Sequence, residues 1–291
     1  MKVCLFCGER FSAEDWRCPS CTAYPEAVDG LLSFAPDLAA RNDGFCAESF
    51  EKLFKLEAAN FWFRSRNHLL IWALRRFYPQ AGSFIEIGCG TGYVLSGIHR
   101  EFPTLRLCGS DISSHGLSFA EQRLSDVTFF QMDARRIPFE AEFDVLGGFD
   151  VLEHIAEDDV VLSQMFQAIK PGGGIMLTVP QHRFLWSYKD EYSCHKRRYT
   201  RKELVGKVKQ AGFEIVRATS FVSLLLVPML LSRMRQRRPQ GNWDATAELR
   251  IGGFLNTLLE KVLGLERILI RCGLSFPAGG SLLVIAKRNQ E

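Results

Sequence analysis

From about position 81 the chain alternates between two hydrophobic rhythms. Apolar runs of strand length recur at Phe84–Glu86, Leu105–Ser110, Val127–Met132, Phe143–Phe149, Ile175–Val179, Phe213–Thr219 and Ser281–Lys287. Between them lie helical stretches such as Tyr93–Arg100 and His115–Arg123. Strands that are apolar almost throughout, separated by helices, predict a mostly parallel sheet covered on both faces. The expected fold class is therefore α/β, with seven strands in the sheet. Two helical patterns come earlier: Phe50, Leu53, Phe54 and Leu56, then Leu69, Leu70, Trp72, Ala73, Leu74 and Phe77.

Between Phe221 and Gly280 the alternation stops. Phe221–Leu231 is apolar but too short to span a bilayer, and Pro228 interrupts it. An arginine cluster, Ser232–Arg238, follows, and helical spacing returns at Leu255, Leu258, Leu259 and Val262. Such an insertion suits a lid or a homodimer face, with peripheral contact at a membrane surface as the alternative. The division that follows is residues 1–28, a cysteine ribbon; 29–80, an apolar linker at Gly30–Pro36 and cap helices; and 81–291, the α/β domain. The helical insertion occupies about 222–275.

Composition adds little. The chain has 291 residues, 47% hydrophobic and 24% charged, as expected for a globular protein. Its formal charge of +3 is too small to imply nucleic-acid binding by itself. The start MKVCLFCGERF lacks the apolar core of a secretory signal, so a reducing cytoplasm is expected. Cysteines change the picture more. Cys4-x-x-Cys7 and Cys18-x-x-Cys21 have the double-knuckle spacing that brings four thiolates into a tetrahedron, the arrangement of structural Zn²⁺. Iron is the chemical rival. So short a ribbon needs its metal in order to fold.

The first strand runs into Glu86-x-Gly88-x-Gly90-x-Gly92 and a helix start. Such a turn exposes backbone N–H groups at a helix N-terminus and lets a ligand approach closely. Asp111 follows Gly88 by 23 residues and ends the second strand, where an acid can accept the hydroxyls of a ribose. Asp133-Ala134 ends the third, Phe149-Asp150-Val-Leu-Glu153-His154-Ile155 the fourth, and Lys170-Pro-Gly-Gly-Gly174 breaks a helix before the fifth. This ordered set resembles the class I S-adenosylmethionine (SAM) methyltransferases, in the subgroup that acts on small or lipid-linked molecules. The resemblance runs from about Phe84 to Phe221 and resumes at the last strand. It implies a Rossmann-like fold and SAM as cofactor. The cofactor would lie against Glu86, Gly88, Cys89, Gly90, Gly92, Asp111, Ile112, Asp133, Ala134, Phe149, Asp150 and His154, with Asp133 receiving the adenine amine.

Methyl transfer from a sulfonium needs an aimed nucleophile, and a weakly acidic hydroxyl also needs a base. Pro180–Thr200 is crowded with reactive side chains, and His195 is the expected catalytic base, with His154 second. Substrate contacts are expected from Trp62, Arg66, His182, Trp186, Tyr192, Arg197 and Arg198, the last two gripping a carboxylate or phosphate. Thr200 with Glu203 reads as a helix capping box. Asp150-x-x-Glu153-His154 also resembles the acidic-His motif of ubiquinone-type O-methyltransferases, which makes Mg²⁺ a further candidate cofactor. Two other readings stand beside the small-molecule enzyme. One is an RNA methyltransferase with a zinc-ribbon recognition module. The other is a non-catalytic SAM-binding or ribbon interaction protein.

Overall fold

The structure is a computed structural model that describes residues 1–39, 47–235 and 250–290. The amino-terminal part contributes β1 (Lys2–Val3), β2 (Arg10–Phe11), β3 (Glu26–Val28), β4 (Leu31–Ser33) and a short α1 (Pro36–Ala39). Next come α2 (Ala47–Leu56), a 3-10 turn at Glu57–Ala59 and α3 (Phe61–Phe77). The alternating body is β5 (Ser83–Ile87), α4 (Tyr93–Glu101), β6 (Arg106–Asp111), α5 (Ser114–Arg123), β7 (Thr128–Gln131) and β8 (Phe143–Phe149). It continues with a 3-10 turn at Leu152–His154, α6 (Asp158–Ala168), β9 (Ile169–Pro180), α7 (Tyr188–Tyr192), α8 (Arg201–Gln210) and β10 (Glu214–Phe221). The remainder is α9 (Leu226–Arg235), α10 (Gly253–Arg271) and β11 (Ser281–Lys287).

These strands form one large sheet in the order β10-β11-β9-β8-β5-β6-β7-β4-β3. The five from β9 to β7 are parallel, while β11 runs antiparallel between β9 and β10. Alternation along each strand sends successive side chains to opposite faces. Ile85 joins a core with Leu146, Ile175, Val161 and Leu162, whereas Phe84 joins one with Leu70, Leu74, Leu95 and Leu283. Helices therefore cover both faces, as the continuous apolar strands require.

The expected seven strands are present, and the sheet is extended to nine by β4 and β3. Gly30–Pro36 is accordingly not a linker. Its Leu31–Ser33 pairs in parallel with β7, Leu32 opposite Phe130 and Ser33 opposite Gln131. Pairing satisfies the open edge of β7, which would otherwise expose a row of N–H and C=O groups. Gln131 fixes the junction: its amide accepts from Ser33 Oγ (2.6 Å) and donates to Ala35 O (3.0 Å) and Ile112 O (2.8 Å). Trp16 plugs the ribbon onto this edge, with Phe34, Phe139 and Phe130 at ring separations of 4.6, 5.4 and 5.9 Å.

A second difference concerns Lys170–Gly174. A helix does end ahead of this run, at Ala168, but the fifth strand, expected at Ile175–Val179, already begins at Ile169 and passes through the glycines. The register shifts here, with Phe143 opposite Ile169 and Val145 opposite Gly174, and Gly172 has φ +80°. The extra residues bulge out of the ladder, and only glycine at 174 leaves room for the Ala286 carbonyl and the Tyr78 hydroxyl.

The late insertion, in its described part, docks onto α3. Asn256 Oδ1 accepts the Phe61 N–H at 2.8 Å, and Arg64 forms an ion pair with Glu260. Part of the expected insertion, including Arg237 and Arg238, lies outside the described residues. Among the described residues no helix is long and apolar enough to cross a membrane.

Candidate active site

The carboxyl ends of β5, β6, β8 and β9 gather most of the candidate residues at one edge of the sheet. At the end of β5 the chain turns through Gly88, Gly90 and Gly92 with φ of +72°, +51° and +70°, a region that glycine enters without penalty. A side chain at Gly88 would also collide with Val151, the residue after Asp150. The N–H groups of Gly88 and Cys89 donate to Ser110 O at 2.7 and 2.9 Å. Gly90 N–H donates to Asp111 Oδ2, and Ser113 N–H donates to Oδ1, each at 2.9 Å. Burial raises the Asp111 pKa against the pull of these N–H groups. Each of its oxygens keeps a lone pair for a further donor.

Helical residues ahead of the sheet close over this turn. Thr91 Oγ1 donates to the Glu57 carboxylate at 2.7 Å, Arg123 pairs with Glu57 at 3.1 Å, and the Phe50 ring lies against Gly90 and Gly116. Sequence reasoning did not place Phe50, Glu57 or Arg123 at the site. An aromatic and an acid in an amphipathic stretch carry no distinctive spacing, so no signal marked them.

Further along the edge Glu86 is 2% exposed, and its Oε2 has no partner. Burial pushes its carboxyl well above the usual range, while the Arg66 charge works the other way. Arg66 reaches in from α3, pairs with Asp150 and lies 4.5 Å over the Trp62 ring. Its Nε is buried without a partner. Asp150 sits at φ +59° at the tip of β8, and Thr178 Oγ1 donates to its Oδ1 at 3.3 Å. Phe149 and Cys89 are buried beside the turn, and burial drives the Cys89 thiol far up. Ile112 is exposed at the rim.

A second group of expected site residues meets where the 190–199 loop folds back on the turn after β8. Lys196 N–H donates to Glu153 O at 2.6 Å, and Tyr199 pairs in parallel with Gln181. This brings His195 to His154, with perpendicular rings 4.8 Å apart. His195 Nδ1 is 2.9 Å from Asp190 Oδ1, which also accepts from Arg198 Nε at 2.7 Å. Burial would raise the Asp190 pKa, but His195 and Arg198 hold it well below the usual range. Burial, reinforced by His195 and Lys196, lowers His154 to about 3, so it is a neutral imidazole. Glu153 between them is fully buried, with neither carboxylate oxygen partnered.

Several expected site residues are already engaged. Asp133 is held by Arg135 through both oxygens (2.8–3.0 Å), and Ala134 beside it is buried. Arg197 turns to Ala156 O (2.8 Å) and Asp158 (3.0 Å). Arg198, 6% exposed, bonds Asp190 and Gln181 O. The H-x-R-R-Y run thus braces the loop. His182 stacks on Phe184 with its Nε2 buried and unpartnered, Trp186 Nε1 donates to Glu191 at 3.4 Å, and Tyr192 is partly exposed.

Apart from this edge, Cys4, Cys7, Cys18 and Cys21 converge with their sulfurs within 4.8 Å of one another. Cys4–Cys21 and Cys7–Cys18 are each 3.6 Å apart. Tetrahedral zinc at about 2.3 Å from each sulfur sets sulfurs about 3.8 Å apart, so the cluster suits such an ion.

A parallel doubly wound sheet with an antiparallel last strand, a glycine turn after its first central strand and an acid after the next define a Rossmann-like SAM-dependent methyltransferase fold. The chain belongs to the family described as "Methyltransferase domain", which matches residues 57–218. It is 25% identical over 166 residues to a probable S-adenosylmethionine-dependent methyltransferase of Mycolicibacterium smegmatis, covering 55% of this chain and 62% of that one. It is 27% identical over 119 residues to the malonyl-acyl-carrier-protein O-methyltransferase of Bacillus cereus, covering 40% and 44%. The matches thus span less than two thirds of these relatives' length. The fold superimposes on Haemonchus contortus phosphoethanolamine N-methyltransferase 2 in complex with SAM, with a TM-score of 0.57 and 20% identity, over 87% of this chain and 60% of that one.

Proposed function

We propose that the chain methylates an oxygen of a small-molecule or lipid-linked acceptor, using SAM, in the cytoplasm. One observation carries the acceptor side: His195, anchored by Asp190, faces His154 and the unpartnered Glu153 beside the cofactor edge. An oriented histidine against a buried acid favours a catalytic reading over a non-catalytic SAM-binding protein.

The residues fit the cofactor. Glu86 Oε2 and Arg66 Nε are buried and unpartnered, of opposite charge type, and match the ammonium and carboxylate of a methionine end. The free lone pairs of Asp111 match two ribose hydroxyls. The glycine turn keeps side chains away from the ligand's path, and Phe50 covers it. When bound, SAM supplies a methyl already activated on its sulfonium sulfur. The chain's own work is to hold that group, exclude water beneath α2 and α3, and bring the acceptor oxygen to it. His195 prepares that oxygen, and Trp62, His182, Trp186 and Tyr192 surround it. Relatives named as O-methyltransferases support oxygen as the atom modified. The four cysteines, with their sulfurs within 4.8 Å of one another, hold structural zinc.

Labelled-methyl transfer from SAM into a fractionated lysate tests the reading. Label in organic extract or in small metabolites supports it. Label in the RNA fraction overturns the acceptor class, and failure to bind S-adenosylhomocysteine overturns the cofactor.

A further inference from the structure

We propose that Glu153, His154 and His195 form a binding site for a divalent transition-metal ion of the zinc class, which takes the acceptor oxygen at a remaining coordination position. The inference rests on the acceptor-side reading above and specifies how that side prepares an oxygen.

The first argument is an uncompensated group. Glu153 is 0% exposed, and neither of its carboxylate oxygens has a hydrogen-bond partner. Native interiors rarely leave such a group unpaired, because removing it from water without a partner is costly. The guanidinium groups whose charge reaches Glu153 bond elsewhere, Arg66 with Asp150 and Arg198 with Asp190. A cation between Glu153 and the two imidazoles removes the penalty.

The second argument is geometric. One ligand atom from each of Glu153, His154 and His195 lies within 4.8 Å of the others. Four-coordinate zinc at about 2.1 Å from each donor needs donors about 3.4 Å apart, so the three side chains would draw together on binding. The support is already built. Asp190 holds His195 at Nδ1, leaving Nε2 for the ion, and Arg198 and Ser187 hold Asp190 in turn. A carboxylate on the second nitrogen is the usual outer partner of a metal-bound histidine.

The third argument is chemical. Two imidazoles and one carboxylate suit zinc, manganese or iron, whereas Mg²⁺ and Ca²⁺ prefer all-oxygen sites. The Mg²⁺ suggested by Asp150-x-x-Glu153-His154 is therefore replaced by a softer ion once His195 joins the set. Three protein ligands are the number found in zinc sites that keep a position open for water or substrate. An ion there would lower the pKa of a bound acceptor hydroxyl, whose proton would pass to solvent before the oxygen takes the methyl, and His195 would prepare that oxygen as a ligand of the ion.

Metal analysis of the full-length chain, purified with zinc present, tests the site. About two zinc ions per chain are expected, one at the cysteines and one here, falling to about one in Glu153→Gln and in His195→Ala. Calorimetry with S-adenosylhomocysteine shows that each variant is folded. Cobalt loading adds a second readout: wild type should show absorption from a nitrogen–oxygen site besides the thiolate bands, and both variants should lose it. Wild type that binds S-adenosylhomocysteine but holds only the cysteine-bound ion overturns the metal site and leaves the methyltransferase reading intact.

Discussion

Asp111→Asn separates the cofactor role proposed for this acid from its structural role. The carboxylate accepts two N–H groups, from Gly90 and Ser113, each at 2.9 Å. The asparagine amide has a single oxygen, so one of those N–H groups must face an NH₂ donor. An unsatisfied buried donor costs about 1–3 kcal/mol, which should appear in the ligand-free protein as reduced stability. Ligand binding should lose more. Hydrogen bonds to a charged acceptor contribute about 1.5–3 kcal/mol and neutral ones about 0.5–1.5, so two ribose hydroxyls moved to an amide lose about 2–3 kcal/mol. That corresponds to affinity for S-adenosylhomocysteine weaker by about 30- to 150-fold. Isothermal calorimetry reads the affinity and urea unfolding the stability. A variant that loses stability yet binds within about threefold of wild type would refute the ribose assignment and leave Asp111 as a turn anchor only.

Three further outcomes follow from other parts of the molecule. Trp16→Ala removes the ring packed on Phe34, Phe130 and Phe139 and should cost about 3–5 kcal/mol, by calorimetric or denaturant unfolding; an unchanged midpoint would detach the ribbon from the fold. Gly88→Ala places a methyl group at φ +72° against Val151, and positive φ plus overpacking should cost about 2–5 kcal/mol, with weaker S-adenosylhomocysteine binding. Asp158 gives a pH dependence. Burial opposes its charge, but Lys207 and Tyr199 (2.7 Å each) and Arg197 lower its pKa in the folded protein. Its stabilisation is complete well above the unfolded value of about 3.9 and is lost as pH falls through that value toward the folded one. Asp158→Asn should therefore flatten the acid limb of a stability–pH curve; a limb as steep as that of wild type counts against the assignment.

The strands were legible because burial on both faces leaves a continuous apolar run. Phe143–Phe149 and Ser281–Lys287 have the expected bounds. Gly30–Pro36 was misread because three residues with one buried leucine cannot be told from a linker by periodicity. What makes Leu31–Ser33 a strand is the edge of β7, nearly a hundred residues away. At Lys170–Gly174 a helix ends as expected, at Ala168, but the start of β9 was hidden for the opposite reason: the run has the local chemistry of a turn, yet the ladder absorbs it as a bulge.

Local spacing therefore determined what local chemistry can fix. The glycine turn, its following acid and the cysteine knuckles are recognisable because a backbone at positive φ and a tetrahedron of thiolates each demand particular residues close together in the chain. The cluster around His154 and His195 was decided by tertiary structure. Glu153 and His154 are neighbours in sequence, but Asp190, His195 and Arg198 reach them only because Lys196 and Tyr199 fasten the loop to the β8 and β9 ends. The sequence offered Arg197 and Arg198 as anion grips; that both also pair with carboxylates of the protein itself is visible only in the tertiary structure. Which charges face a ligand and which face each other depends on burial and on partners distant in the chain, and spacing along one segment does not encode either.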